Sequence, residues 1–209
     1  PWMGGVAGTN FYNGELDDMR VWSRALGASE IATLHSSTQV LEDGLVAKYA
    51  LNTDAADSVG SNDGTATGVS FDSGYATLNG TNGEILLDQS MGDYWGSDAS
   101  FSMWVKTTAT DGMVYMVRES YGGSTKSYLA SNIQAAGNVT VGWRSKQGAD
   151  ATQPAYAETA INDDQWHMLT YVRSGSSLHF YVDGSLEGTL TNISGTFLSD
   201  VPVRIGSYS

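Results

Sequence analysis

The chain has 209 residues, 41% hydrophobic and only 16% charged, which is enough apolar side chain for a true core and too little charge for a disordered polymer. Its 23 acidic residues against 10 basic ones leave a net charge of −13, so DNA and RNA, which need Lys and Arg to displace counterions, are repelled. Zero cysteines exclude disulfides, thiolate metal sites and a Cys nucleophile, and no apolar run of about 18 residues offers a membrane span.

The first patterned stretch, NGELDDMRVWSRAL (13–26), carries Leu16, Met19, Val21 and Trp22 on a strand-like spacing. It leads into GASEIATLH, whose spacing predicts a short helix over about 27–36 with Gly27 as N-cap, Glu30 at N3, and Ile31 and Leu34 buried. Short alternating runs follow: LVAKYAL (45–51), YATLNG (75–80), EILLD (84–88), SFSMWVKTT (100–108), GMVYMVRE (112–119) and SYLASNI (127–133). Then come NVTVGWRS (138–145), WHMLTYVR (166–173), LHFYVDG (178–184), SLEGTL (185–190) and VPVRIGS (201–207). Gly and Asx residues crowd the gaps, and Asp183-Gly184 between two alternating runs is a hairpin signal. A dozen strands against one short helix predict an all-β, two-sheet antiparallel sandwich, with residues 1–209 as a single domain.

Several stretches resemble the laminin-G-like, concanavalin A-like jelly roll: DSVGSNDGT (57–65), SFSMWVKTT, DDQWHMLTYVRSGSSLHFYVDG, VPVRIGS and FYNGELDDMRVWSRALGASEIATL. In that family the last of these pieces closes the domain, whereas here it comes first. The resemblance implies a circular permutation, with residues 45–209 followed by 1–36 as the family order and 37–44 as the joining linker. A tandem array of such domains, excised out of phase, would give the same text, and Pro1 at the start suits a fragment.

The family's glucanases need three carboxylates spaced E-x-D-x-x-E on one strand. Here Glu15 and Asp17 fit but Arg20 holds the third place, so no enzyme is expected. His35, His167 and His179 show no partner in the sequence and are read as structural. The resemblance implies a structural calcium ion where the opening loop meets the last strand, with Asp57, Asn62, Asp63 and Asp18 as ligands. The alternative is that Asp57 and Asn62 cap turns.

Trp22, Trp104 and Trp166 alternate with polar residues and are expected in the core. Trp2, Trp95 and Trp143 are not explained that way. Together with Arg118, Glu119, Tyr121, Arg144 and Lys146 they supply the aromatic faces and polar donors that read a saccharide. Against this, Trp143 would equally fill the second sheet's core and leave Arg118 on a plain exposed face.

The expected function is a non-catalytic carbohydrate-binding or adhesion module of a larger secreted or cell-surface protein, its partner a polysaccharide or glycan. The other reading is a structural spacer or protein-interaction domain of a bacterial adhesin, flanked by neighbouring repeats. Neither nucleic acid nor membrane insertion is expected.

Overall fold

The computed structural model describes residues 10–37, 41–71, 74–121, 124–144, 154–193 and 201–207. In chain order, β1 (Asn13–Trp22) runs into helix α1 (Ala28–Ser36) and returns as β2 (Leu45–Tyr49). Short strands β3 (Thr65–Thr67), β4 (Val69–Ser70), β5 (Ala76–Asn79) and β6 (Glu84–Leu87) precede a 3-10 helix, Gln89–Gly96. Next are β7 (Ala99–Lys106), β8 (Gly112–Tyr121), β9 (Ser124–Ile133), β10 (Asn138–Arg144) and β11 (Ala155–Ala160). The described strands end with β12 (His167–Ser174), β13 (Ser177–Val182), β14 (Ser185–Thr191) and β15 (Val203–Ile205).

These strands form two sheets. The first runs β14-β13-β12-β7-β1-β5-β4, with β2 also paired to β1, and the second runs β11-β10-β9-β8-β15-β6-β3. Every pairing between the named strands is antiparallel, as the alternating pattern predicts. The short strands β3 and β4, the 3-10 helix and β11 are additions to the expected elements. β11 hides in the sequence because it is Ala-rich, with Tyr156 and Glu158 pointing to solvent. Tertiary contacts hold it: the Glu187 carboxylate on β14 accepts from the Glu158 and Thr159 N–H groups and the Thr159 hydroxyl, tying the two sheets' edges together.

The core lies between the sheets. Phe101, Tyr115, Tyr171 and Phe180 form a run of rings with centroids 4.5, 5.3 and 5.2 Å apart, and the buried Tyr171 hydroxyl donates to Ser131 at 2.7 Å. Each such ring contributes about 1.5–3 kcal/mol on burial. Strand β1 occupies the middle of the first sheet, bonded to β7 on one edge and to β5 and β2 on the other.

Two local features shape the outer face of the first sheet. In β1 both Leu16 and Met19 face the core with two residues between them; the register against β7 shifts there and Asp18 takes φ +43°. This bulge turns Asp17 and Asp18 together away from the core, where a regular strand would allow only one. Helix α1 then packs on the outer face of the first sheet, where Trp22, Leu26, Ile31 and Leu34 meet Met168, Val172 and Tyr181. Its start is as predicted: Glu30 reaches back to the Gly27 N–H at 2.8 Å. The Asp183-Gly184 hairpin turn has both residues at positive φ, +49° and +80°.

Candidate functional site

Alternation along β8, β9 and β10 sends Val117, Leu129, Val141 and Trp143 into the core. It puts Met116, Arg118, Tyr128, Ala130, Gly142 and Arg144 on the outer face of the second sheet. The cross-strand register pairs Arg118 with Tyr128 and Tyr128 with Arg144, so one ring stands between two guanidinium-bearing residues in a single row. The next row is Met116, Ala130 and Gly142; Met113, Met116 and Ala130 form a small buried cluster with Tyr128 packed against it. The Arg144 Nε and the Thr140 Oγ1, on the same strand and face, are buried with no hydrogen-bond partner among the described residues. A buried polar atom left unpaired costs about 1–3 kcal/mol, so this face asks for an external donor or acceptor. Arg204, in the row of Met116, is by contrast satisfied by Glu84 at 2.8 Å, which also accepts from Ser207 at 2.6 Å.

Of the residues expected to read a saccharide, Arg118 and Arg144 come together and Tyr128 joins them. Sequence reasoning missed Tyr128 because only the register shows that it lies between them. Trp143 and Trp95 are corrections. They are 1% and 2% exposed, Trp143 beneath the Arg173 guanidinium at 5.1 Å and Trp95 donating its indole N–H to the Tyr115 hydroxyl. Arg173 also donates to the Trp95 carbonyl oxygen. Neither indole offers a face to a ligand, since alternation on β10 turns position 143 inward and the 3-10 helix folds Trp95 under the sheet edge. Trp2, Lys146 and the side chains of Glu119 and Tyr121 lie outside the described residues. Trp104, expected in the core, stands half-buried on the outer face of the first sheet.

The loop after β2 gathers Asp57, Asn62 and Asp63. The Asp57 Oδ1 accepts from the N–H groups of Lys48 and Val59, both at 3.0 Å, and its Oδ2 from the backbone and side-chain nitrogens of Asn62, both at 3.2 Å. Burial works to raise the Asp57 pKa, but these backbone N–H bonds outweigh it and hold the carboxyl below its ordinary value. Asp63 accepts from the Asp57 N–H at 2.9 Å, and the Asn62 carbonyl accepts from the Tyr49 hydroxyl at 2.7 Å. A Cβ at Gly60 would sit 2.9 Å from the Asp57 Oδ2, so the loop needs glycine there. Asp18, on the outer face of the first sheet, is engaged by the Arg20 fork at 2.9 and 2.5 Å. Asp57 is thus engaged within its own loop and Asp18 by Arg20, and among the described residues no three acidic or histidine side chains are grouped to hold a metal.

Glu15 is paired with Lys106 at 3.2 Å and Asp17 accepts the Asp18 N–H at 2.7 Å, with Arg20 in the third carboxylate's place. The histidines do have partners that the sequence hid. His167 is bridged between Asp183 at 2.7 Å and Asp163 at 3.0 Å, and His179 contacts Thr189 at 3.0 Å. Burial works to lower the His167 pKa, but the two carboxylates outweigh it and the net shift is upward.

Residues 61–209 match the family model of the concanavalin A-like lectin/glucanases superfamily, Laminin G type. No curated protein matches the chain in sequence. Among solved structures, domain 4 of AbnA, an extracellular arabinanase from Geobacillus stearothermophilus, in complex with arabinotriose, is 20% identical with a TM-score of 0.54. That match covers 74% of this chain and 79% of that one. Mouse laminin α1 domains LG4-5 are 17% identical with a TM-score of 0.48, the match covering 59% of this chain and only 31% of that structure. The Bacillus licheniformis β-glucanase is 12% identical at a TM-score of 0.45, over 97% and 84% of the two chains. At these identities the likeness is one of fold.

Proposed function

The chain belongs to the concanavalin A-like lectin/glucanases superfamily, and from that premise we propose that it is a non-catalytic carbohydrate-binding module of a secreted or cell-surface protein. The observation that carries this reading is the row Arg118, Tyr128, Arg144, with its buried and unpaired Arg144 Nε. A sugar ring lays its C–H face on the tyrosine while hydroxyl or carboxylate oxygens accept from the flanking guanidiniums. Binding rather than hydrolysis is the reading the row favours: two guanidiniums and a tyrosine hold oxygens, and the row supplies no pair of carboxylates to act as acid and nucleophile.

The test is a glycan array followed by calorimetric titration of the best neutral and acidic saccharides, arabinotriose included, against the chain and Arg144→Ala. Loss of binding in the variant supports the reading; undiminished binding, or silence across the array, sinks it. Calcium is a separate proposal, because Asp18 would have to exchange Arg20 for the cation. A thermal midpoint that rises with calcium and falls with EDTA would support that exchange, and an unmoved midpoint would leave Asp57 as a turn-maker alone.

A further inference from the structure

On the opposite side of the sandwich, the end of α1 and the outer face of the first sheet enclose a groove of about 540 Å³. His35 and Ser37 form one wall, and Trp104, Asp18, Arg20 and Lys48 the other. The His35 ring is stacked on Trp104 with centroids 5.5 Å apart and planes 24° from parallel, and its Nε2 lies 3.7 Å from the Asp183 carboxylate. These contacts hold the indole while leaving it half-buried rather than covered. The Arg20 fork fixes Asp18 at the groove's floor, where the carboxylate side chain is still 26% exposed. Lys48 enters the same groove and makes no ion pair among the described residues.

The volume is that of a small-ligand site, for which about 300–1,000 Å³ is usual. Its lining joins an aromatic surface to both kinds of hydrogen-bonding group, an acceptor in Asp18 and donors in Arg20 and Lys48. The charged groups in the lining are Asp18, Arg20 and Lys48, and Asp17, beside Trp104 in the register and interacting electrostatically with Arg20 and Lys48, brings the carboxylates near the groove to two against two cations. A balanced groove within a chain of net charge −13 has no pull on an anion. An apolar guest, in turn, would leave the Asp18 and Lys48 groups desolvated and unmatched.

We propose that this groove is a second saccharide-binding site, which takes a neutral sugar ring against the exposed part of Trp104. Ring hydroxyls donate to Asp18 and accept from Lys48. The site shares no residue with the Arg118–Tyr128–Arg144 row and stands or falls without it.

The experiment titrates the chain with neutral oligosaccharides of gluco, xylo, arabino and manno configuration, and with an oligogalacturonate as the acidic counterpart. Tryptophan fluorescence and backbone amide shifts are followed, with thermal midpoints as the folding control. A neutral oligosaccharide is expected to move the amides of Asp18, Lys48 and Trp104. Lys48→Ala and Trp104→Phe should each weaken its binding by about tenfold while Arg144→Ala leaves it unchanged. Binding that survives in both groove variants, or amide shifts confined to β8–β10, overturns the proposal. A groove silent to every neutral saccharide at millimolar concentration overturns it too, and oligogalacturonate still bound on β8–β10 would then leave the first site standing.

Discussion

The two outer faces of the sandwich arise from the same strand alternation but are finished differently. On the first sheet, α1 lies across Met168, Val172 and Tyr181, and ion pairs join Arg20 to Asp18 and Lys106 to Glu15, while the Thr170 Oγ1 and one Glu15 oxygen are buried without a hydrogen-bond partner among the described residues. On the second, a row of Arg118, Tyr128 and Arg144 carries a buried donor without an acceptor. The covered face therefore presents a shaped, charge-balanced groove and the other a cationic strip. Cover lets a sheet select a ligand by shape, while a cationic row with one buried donor unpaired selects by charge and hydrogen bonding.

That contrast can be broken most decisively at the tryptophans. Trp143→Ala should cost about 3–5 kcal/mol of stability, because the ring is fully enclosed between the sheets. Trp104→Ala, at the groove, should cost about 1–2 kcal/mol. Urea denaturation of the two variants measures both, and equal costs would erase the distinction between a core indole and a groove indole.

Next in size is Asp57→Ala, expected to lose about 2 kcal/mol as several N–H groups lose their acceptor. Since the Asp57 pKa is depressed in the folded state, its contribution is present above the ordinary value of 3.8 and is lost as pH falls through the lower folded value. Acid unfolding of Asp57→Asn should lack that limb.

Arg144→Ala should weaken glycan binding on the second sheet by about tenfold, the worth of a charge-assisted bond. Its unfolding midpoint should hold or rise, for the substitution also removes a buried unpaired donor. A marked fall in stability would make Arg144 a structural residue instead.

The smallest effect belongs to His167. Its pKa is raised on folding, so its ion pairs with Asp183 and Asp163 stabilise fully below the ordinary value of 6.5. That part is lost as pH rises through the raised folded value. His167→Gln should flatten the slope of stability near neutral pH, which thermal unfolding at several pH values would reveal.

The fold was largely legible because alternation and turn chemistry are local. SFSMWVKTT became β7, GASEIATLH became α1, and the Asp-Gly turn adopted the backbone its residues favour. The site was legible only in part. Arg118 and Arg144 could be singled out as cations on strands, but Tyr128 gained meaning through its register with both. Trp143 and Trp104 each alternate with neighbours in the same way. Period two says that alternate residues share a face, without saying which face is the inside. The bulge at Asp17–Asp18 was hidden for a related reason, as its extra residue is counted only against the partner strand.

The class of the protein was legible from its residues alone: an acidic, cysteine-free, all-β sandwich whose motifs belong to a lectin-like family. These follow from composition and short-range pattern, which every residue carries with it. Which tryptophans are core, the pairing of Asp18 with Arg20, and the places of the cationic row and the groove emerged only from the folded arrangement. Those depend on which strands become neighbours, and pairing across a sheet joins residues far apart in the chain through contacts that no local spacing encodes.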